Sequence, residues 1–396
     1  VEKMNEAGVS AVLGAYASAI CLATTQAAAK YNLPHVVDVG VADQIVERGL
    51  KNTFRFGPGY GVCARVAVIN LHVLNTAAGK PAKTVMIIHE ESLFGTGTAN
   101  LLARELPGYG FEVKEIVKHA NPTRDFNNIV LRMKAVNPDI VIPANYYNEY
   151  ALLVRTMQQQ KVTPKAVYSV LGGAASSFKF VKEAPESANG IIDCNHWFNP
   201  KDKRSLELKK RAEAKGLFFS YEMFMTYTAM TLLADALERA KSTDRAAIID
   251  ALEKSTFANH IMPYGPTKFV NGQNQGGRPA VMQSLKGDIE VKALDLPSGV
   301  KMNVVKSDAT SITLAFSGDK PTAMSSRVAP LANPIVSTTT SNTISASIRK
   351  SCRSRSSFRA LFVCSNRASG VTRARVPTRL GSAEGQGSTG GGNVCM

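Results

Sequence analysis

The chain has 396 residues, 44% hydrophobic and 20% charged, with a mean hydropathy of −0.07, enough to bury the cores of two or more domains. No apolar stretch is long enough to span a membrane as a helix. The net charge of +16 points first to nucleic acid or an acidic surface, but its distribution argues otherwise. Beyond residue 340 nine basic residues face a single acid, Glu384, so the basicity is mostly a property of the tail.

Val1 to Ala7 reads as the last turns of a helix. Residues 10–43 (SAVLGAYASAICLATTQAAAKYNLPHVVDVGVAD) then give an apolar run, a helical pattern and a second apolar run ending at Gly40. That is a strand, helix, strand unit of the kind that builds a parallel sheet. Ligands bind such sheets outside the carboxyl ends of the strands. Ser18 falls there, at an expected N-cap, where a hydroxyl and free backbone N–H groups hold an anion.

A short strand is expected at 52–56, followed by Gly57-Pro58-Gly59 and a helix over 61–78 with Ala64, Val68, Leu71 and Leu74 on or near one face. βα units then repeat, with strands at 84–89, 111–117, 139–143, 166–170 and 190–194 and helices at 98–106, 125–136 and 147–160. Their continuous apolar runs mean parallel strands covered on both faces. Helices follow at 206–215, 221–240 and 243–255. Strands at 267–270 and 281–284, with Asn271-Gly272-Gln273-Asn274 between them, are expected to form one hairpin. From about residue 294 onward the texture changes to Ser, Thr, Arg and Gly without sustained periodicity. That stretch is expected to be a disordered, low-complexity basic tail, with a composition like that of out-of-frame translation.

Catalytic templates fail. There is no GxSxG, HExxH or P-loop. The six histidines (His35, His72, His89, His119, His196, His260) are not paired at ligand spacing and read as structural or exposed. The six cysteines (Cys21, Cys63, Cys194, Cys352, Cys364, Cys395) show no CxxC and no zinc spacing. Gly95-Thr96-Gly97 follows a strand, but Asn100 stands where a dinucleotide loop needs its third glycine, so a tight turn is the reading. The His89-Glu90-Glu91 cluster reads as loop charge, with a general base or metal site as the rival. The tail's Arg-Ser run lacks interleaved aromatics and a folded scaffold for nucleic acid. Tyr16, Ser18, Phe94, Tyr146, Tyr147 and the Gly172-Gly173 loop share one position, the carboxyl ends of strands. Aromatic walls with a few polar anchors are what a small-molecule pocket needs.

Over residues 1–291 the chain resembles the type I periplasmic solute-binding proteins of the leucine/isoleucine/valine-binding branch. The resemblance rests on GVSAVLGAYAS, NLPHVVDVGVADQIVERG, TFRF, TVMIIHEESLFGTG, NPDIVIPANYY, SYEMFMTYTAMTLLADALERA and GPTKFVNGQNQ. It implies a two-lobed α/β fold, with parallel sheets flanked by helices and a ligand in the cleft. Lobe one is expected at 1–57 and 198–264, and lobe two at 58–197 and 265–293, leaving 294–396 as tail. It also implies that a leader and the first strands of lobe one precede Val1, from which poor stability of this chain is expected.

Residue by residue, the resemblance makes Ser18 the hydroxyl for a ligand carboxylate and Val41 a backbone donor and acceptor. Phe94 stands for a family tyrosine, and Tyr146 matches a pocket tyrosine. Asp43 replaces a threonine. The glutamate that pairs with an α-ammonium is lost at about Leu171 or Gly172. Either Asp43 or Glu91 therefore takes the ammonium, or the solute lacks one. The expected site is Ser18, Val41, Asp43, Phe94, Tyr146, Gly172, Tyr16 and Glu91. The implied function is a periplasmic, monomeric, non-enzymatic binding component that delivers amino acids or small organic acids to ABC permease subunits. No metal, cofactor or nucleic acid is expected. A sensor of the same fold is the alternative, with an enzyme using Glu90 or Glu91 behind it.

Overall fold

The computed structural model describes residues 1–294, 301–308 and 311–317. In chain order the elements are α1 (Glu2–Glu6), β1 (Val12–Leu13), α2 (Ser18–Ala29), β2 (His35–Val37), α3 (Gln44–Glu47), β3 (Thr53–Arg55), α4 (Tyr60–Ala77), β4 (Thr84–Glu90), α5 (Leu93–Glu105), β5 (Glu112–His119), α6 (Asn127–Val136), β6 (Ile140–Ala144) and α7 (Tyr147–Gln159). They continue with β7 (Ala166–Val170), α8 (Phe178–Glu183), α9 (Pro185–Ala188), β8 (Ile192–Asn195), α10 (Lys203–Ala214), α11 (Tyr221–Ala240), α12 (Arg245–Glu253), β9 (Phe269–Val270), β10 (Gln273–Asn274), β11 (Ala280–Leu285), β12 (Asp288–Leu294), β13 (Lys301–Asp308) and β14 (Ser311–Ser317).

Two sheets carry the fold. The first has the order β1-β2-β3-β10-β9, and the second β12-β11-β8-β7-β6-β4-β5. Pairing is parallel from β1 to β3 and from β5 through β8. Burial explains the sequence texture. Val85 to Glu90 of β4 are all buried, with β5 and β6 on either side. The edge strand β5 instead alternates charges with Val113, Ile116 and Val117 and carries Lys114 and Lys118, which discourage pairing with another chain. On the first sheet, Leu13, Val36 and Phe54 pack with Phe224, Ala229, Leu232 and Ile248 of α11 and α12. Cys21, Val37, Cys63, Val68, Ile87 and Ile142 belong to one core that spans both sheets.

The parallel α/β expectation and its helices are met, and three details differ. The expected hairpin is two hairpins. β9 turns through Asn271 (φ 50°) and Gly272 (φ 75°) onto β10, which joins the first sheet beside β3. β11 turns through Lys286 (φ 50°) and Gly287 (φ 83°) onto β12 in the second sheet. Two residues with positive φ make the tight turn whose twist suits a hairpin, so each pair closes on itself. Residues 269–274 therefore pair in the first sheet, where a boundary at 264/265 had assigned them to the second lobe. The N-cap of α2 is Ala17, with Ser18 the first helical residue. Finally, 301–308 and 311–317 pair as an antiparallel ladder, whereas the sequence suggests disorder. The rest of the expected tail lies outside the described residues.

Candidate functional site

Six strand ends converge on one cavity. Tyr16 and Ser18 follow β1, Val39 and Val41 follow β2, Phe94 follows β4, Tyr146 follows β6, Leu171 follows β7, and Asn195 and His196 close β8. Tyr221, the first residue of α11, completes the wall. The empty space among them is about 310 Å³ including its open mouth. The walls come from both sheets.

The aromatic side chains bridge the two lobes. The Tyr16 ring lies 5.7 Å from that of Tyr146 and 6.4 Å from that of Tyr221, and Phe94 lies 5.3 Å from Tyr146. The Tyr16 and Tyr221 hydroxyls share a hydrogen bond of 2.7 Å. Burial pushes both phenols up and holds Tyr146 at about 12, so all three are neutral donors at ordinary pH.

Ser18 is buried, and its Oγ accepts the Ala42 N–H at 3.2 Å. Its own proton is left to donate to a ligand. This contact also ties the start of α2 to the Val41–Ala42 segment, so one hydroxyl links both strand ends. Leu171 has φ 56°, rare for a bulky side chain and worth about 1–3 kcal/mol of backbone strain. Its N–H donates to the Cys194 carbonyl at 2.9 Å.

Below the cavity sits a buried carboxylate that sequence reasoning did not identify. Asp193 accepts the Gly172 N–H at 3.2 Å, the Asn195 amide at 3.2 Å and the Ser176 hydroxyl. Burial raises it to about 6 against these hydrogen bonds. The group holds the β7 and β8 ends in place and is not a cavity wall. Asn195 spends its Oδ1 on the His196 N–H at 2.8 Å.

Tyr16, Ser18, Val41, Phe94 and Tyr146 thus line one cavity, and Asp43, Glu91 and Gly172 are not among its walls. Asp43 pairs with the buried Arg55 guanidinium at 3.1 Å and accepts the Gly61 N–H at 3.1 Å. Arg55 also donates to the Ala42 carbonyl and to Gln273 Oε1, both at 2.6 Å. A buried cation needs a nearby anion, and Asp43 is that anion. Glu91 is exposed; its neighbour Glu90 is buried and takes the Ser92 and Gly95 N–H groups at 2.6 and 2.7 Å. Those are free donors of the α5 N-terminus, so Glu90 is a helix-end partner. Gly172 is committed to Asp193. Val39, Leu171, Asn195, His196 and Tyr221 were not in the expected set. The first four sit at strand ends, which is the signal that finds them.

Comparisons with known proteins agree with this architecture. The Leu/Ile/Val-binding protein homolog 7 of Brucella melitensis is 23% identical over 297 residues, 71% of this chain and 73% of its own. A leucine binding protein from Thermotoga maritima superposes with a TM-score of 0.63 at 23% identity, covering 73% of this chain and 81% of that one. A solute binding protein of an ABC transporter from Rhodopseudomonas palustris, solved with 3,4-dihydroxy benzoic acid, gives 0.62 at 16% identity over 71% and 76%. The description of the family whose model matches residues 1–289 is "Periplasmic binding protein". With nearly three quarters of its length in that match and two α/β sheets meeting at one cleft, the chain belongs to the periplasmic binding protein family.

Proposed function

We propose that this solute-binding protein serves an ABC importer and that its solute is a small carboxylic acid without an α-ammonium group. One observation carries the second half: no acidic side chain is among the described residues that line the cavity. Asp43 is held by Arg55 and Glu91 faces solvent. An ammonium closed into this aromatic box would meet no acid on its walls, and Glu222, which acts on Tyr16 and Tyr221 from behind them, is pushed by burial toward its neutral form; a desolvated ion robbed of its partner costs about 3–5 kcal/mol.

A carboxylate fares better. The Ser18 hydroxyl and the one proton that the hydrogen-bonded Tyr16–Tyr221 pair leaves free are donors, and the apolar body of the acid packs on Phe94, Tyr146 and Val41. Ser18 and Val41 act from one lobe, Phe94 and Tyr146 from the other. Contacts from both lobes supply the extra affinity for the closed form that drives closure. The closed monomer then docks on membrane permease subunits outside the cytoplasm.

Calorimetric titration with leucine, 4-methylpentanoate and benzoate tests this. At least one of the two acids should bind at least tenfold more tightly than leucine, and Ser18→Ala should weaken it by tenfold or more. Tighter binding of leucine than of both acids overturns the ligand class. Unchanged affinity in Ser18→Ala overturns the anchor.

A further inference from the structure

The polar groups of the cavity are unequally committed. Tyr16 and Tyr221 bond each other, Ser18 accepts a backbone N–H, Tyr146 lies 3.4 Å from the Ser92 hydroxyl, and Asn195 is spent on His196 and Asp193. His196 is different. The side chain is 1% exposed, and its Nε2 has no hydrogen-bond partner among the described residues. Other buried polar atoms share that condition, on His35, Glu115, Asn145, Gln160, His260 and Thr267, but none of these residues lines the cavity.

The ring is fixed from behind. Nδ1 meets the Tyr264 hydroxyl at 3.3 Å, and Tyr264 is not a cavity wall. The Phe56 ring lies 5.6 Å from that of Tyr264. Gly57 packs beside Cε1, where a Cβ would make an ordinary contact at 3.4 Å and would clash instead with Met225 Cε at 2.5 Å. His196 is among the residues that line the cavity, and Nε2 is the ring nitrogen left without a partner there among the described residues. Burial lowers the imidazole to about 3, so it is neutral. A neutral ring bonded at Nδ1 presents either an N–H or a lone pair at Nε2, according to which way the Tyr264 proton points. A hydroxyl satisfies both states, because it donates and accepts. A carbonyl satisfies only one, and an ammonium only the other. A buried site built to hydrogen-bond a substrate hydroxyl also rejects the analogue that lacks it, since the orphaned nitrogen bears the desolvation penalty.

Building on the carboxylic-acid reading above, we propose that His196 is the specificity-determining residue for a hydroxyl group on the solute, which makes the ligand a hydroxylated small carboxylic acid. Ser18 and the tyrosine pair hold the carboxylate, and His196 Nε2 reads the second oxygen. Tyr264 acts through His196 as a positioning residue.

The test uses matched pairs on the full chain by calorimetry: benzoate against 3- and 4-hydroxybenzoate, and 4-methylpentanoate against 2-hydroxy-4-methylpentanoate. At least one hydroxylated acid should bind 10-fold or more tightly than its parent. In His196→Leu that ratio should fall to about 1. Tyr264→Phe should shrink the ratio severalfold while leaving the parent unchanged, and it is the reporter should His196→Leu not fold. Equal binding of every pair, or a ratio that survives both substitutions, overturns the role of His196 and leaves the carboxylic-acid reading standing. Binding of leucine with no binding of any acid overturns that reading, and this inference with it.

Discussion

Replacing Arg55 by Met isolates the pairing that removes Asp43 from the ligand site. Arg55 is 2% exposed and donates to Asp43 at 3.1 Å and to the Ala42 carbonyl and Gln273 Oε1 at 2.6 Å each. Hydrogen bonds from a charged donor are worth about 1.5–3 kcal/mol each, so the gross loss is on the order of 5–9 kcal/mol. Two effects oppose it. Methionine removes the desolvation cost of the guanidinium, the largest influence on Arg55. Asp43 also keeps 28% of its side chain exposed, so water takes over part of its solvation. Together these bring the expected cost to about 3 kcal/mol, the low end for breaking a buried ion pair.

Urea unfolding should show that loss as a lower midpoint at unchanged slope. Asp43→Asn should cost about 2 kcal/mol. The double variant should cost about 2 kcal/mol less than the sum, because each single change strands the other partner. A single-variant loss below about 1 kcal/mol, or strict additivity, refutes the pairing as a structural anchor. Calorimetry adds an independent arm. Asp43→Asn should leave the preference between leucine and 4-methylpentanoate unchanged, and a selective loss of leucine binding would return Asp43 to the ligand.

Three further outcomes follow from the geometry. His35 and His196 are lowered by burial to about 4 and about 3, below the 6.5 of an exposed imidazole. Their stabilising contribution is therefore present above about pH 6.5 and lost as the pH falls toward those values, by up to about 3 kcal/mol for His35 alone. Asp193, raised to about 6, works the other way over part of that range. The readout is thus the flatter Tm-against-pH profile of His35→Gln relative to wild type below pH 6.5, and parallel profiles would refute it. At Gly173 an added Cβ would lie 2.5 Å from Tyr147 N, 2.7 Å from Tyr146 C and 2.9 Å from Asn145 O, all backbone. Gly173→Ala should cost about 1–3 kcal/mol and weaken solute binding through displacement of Tyr146; unchanged urea midpoint and affinity would count against it. Cys21, Cys63 and Cys194 are buried with thiols pushed up, Cys21 to about 12. Mass spectrometry should find them unmodified by iodoacetamide in native protein and modified in urea, and native labelling at Cys63 would contradict the core described above.

Much of this architecture can be read from the chain alone. Continuous apolar runs such as TVMIIH identify strands covered on both faces, because only a doubly covered strand tolerates apolar residues at every position. The rule that ligands sit at strand ends then finds Tyr16, Ser18, Phe94 and Tyr146, all local to their strands, while Val41 comes from the family resemblance. What pattern cannot supply is the choice of partner. Asp43 and Glu91 are acids near strand ends and equally suited to an ammonium by position. Only the folded arrangement shows Asp43 taken by Arg55 and Glu91 facing water. His196 presents the converse case. Six scattered histidines look alike in sequence, and only tertiary packing sets Tyr264 behind one of them, at a cavity wall, and leaves its other nitrogen without a partner among the described residues. Periodicity and turn chemistry are local and so are written along the chain. Charge pairing and hydrogen-bond commitment depend on which distant residues meet, and the tertiary structure decides that.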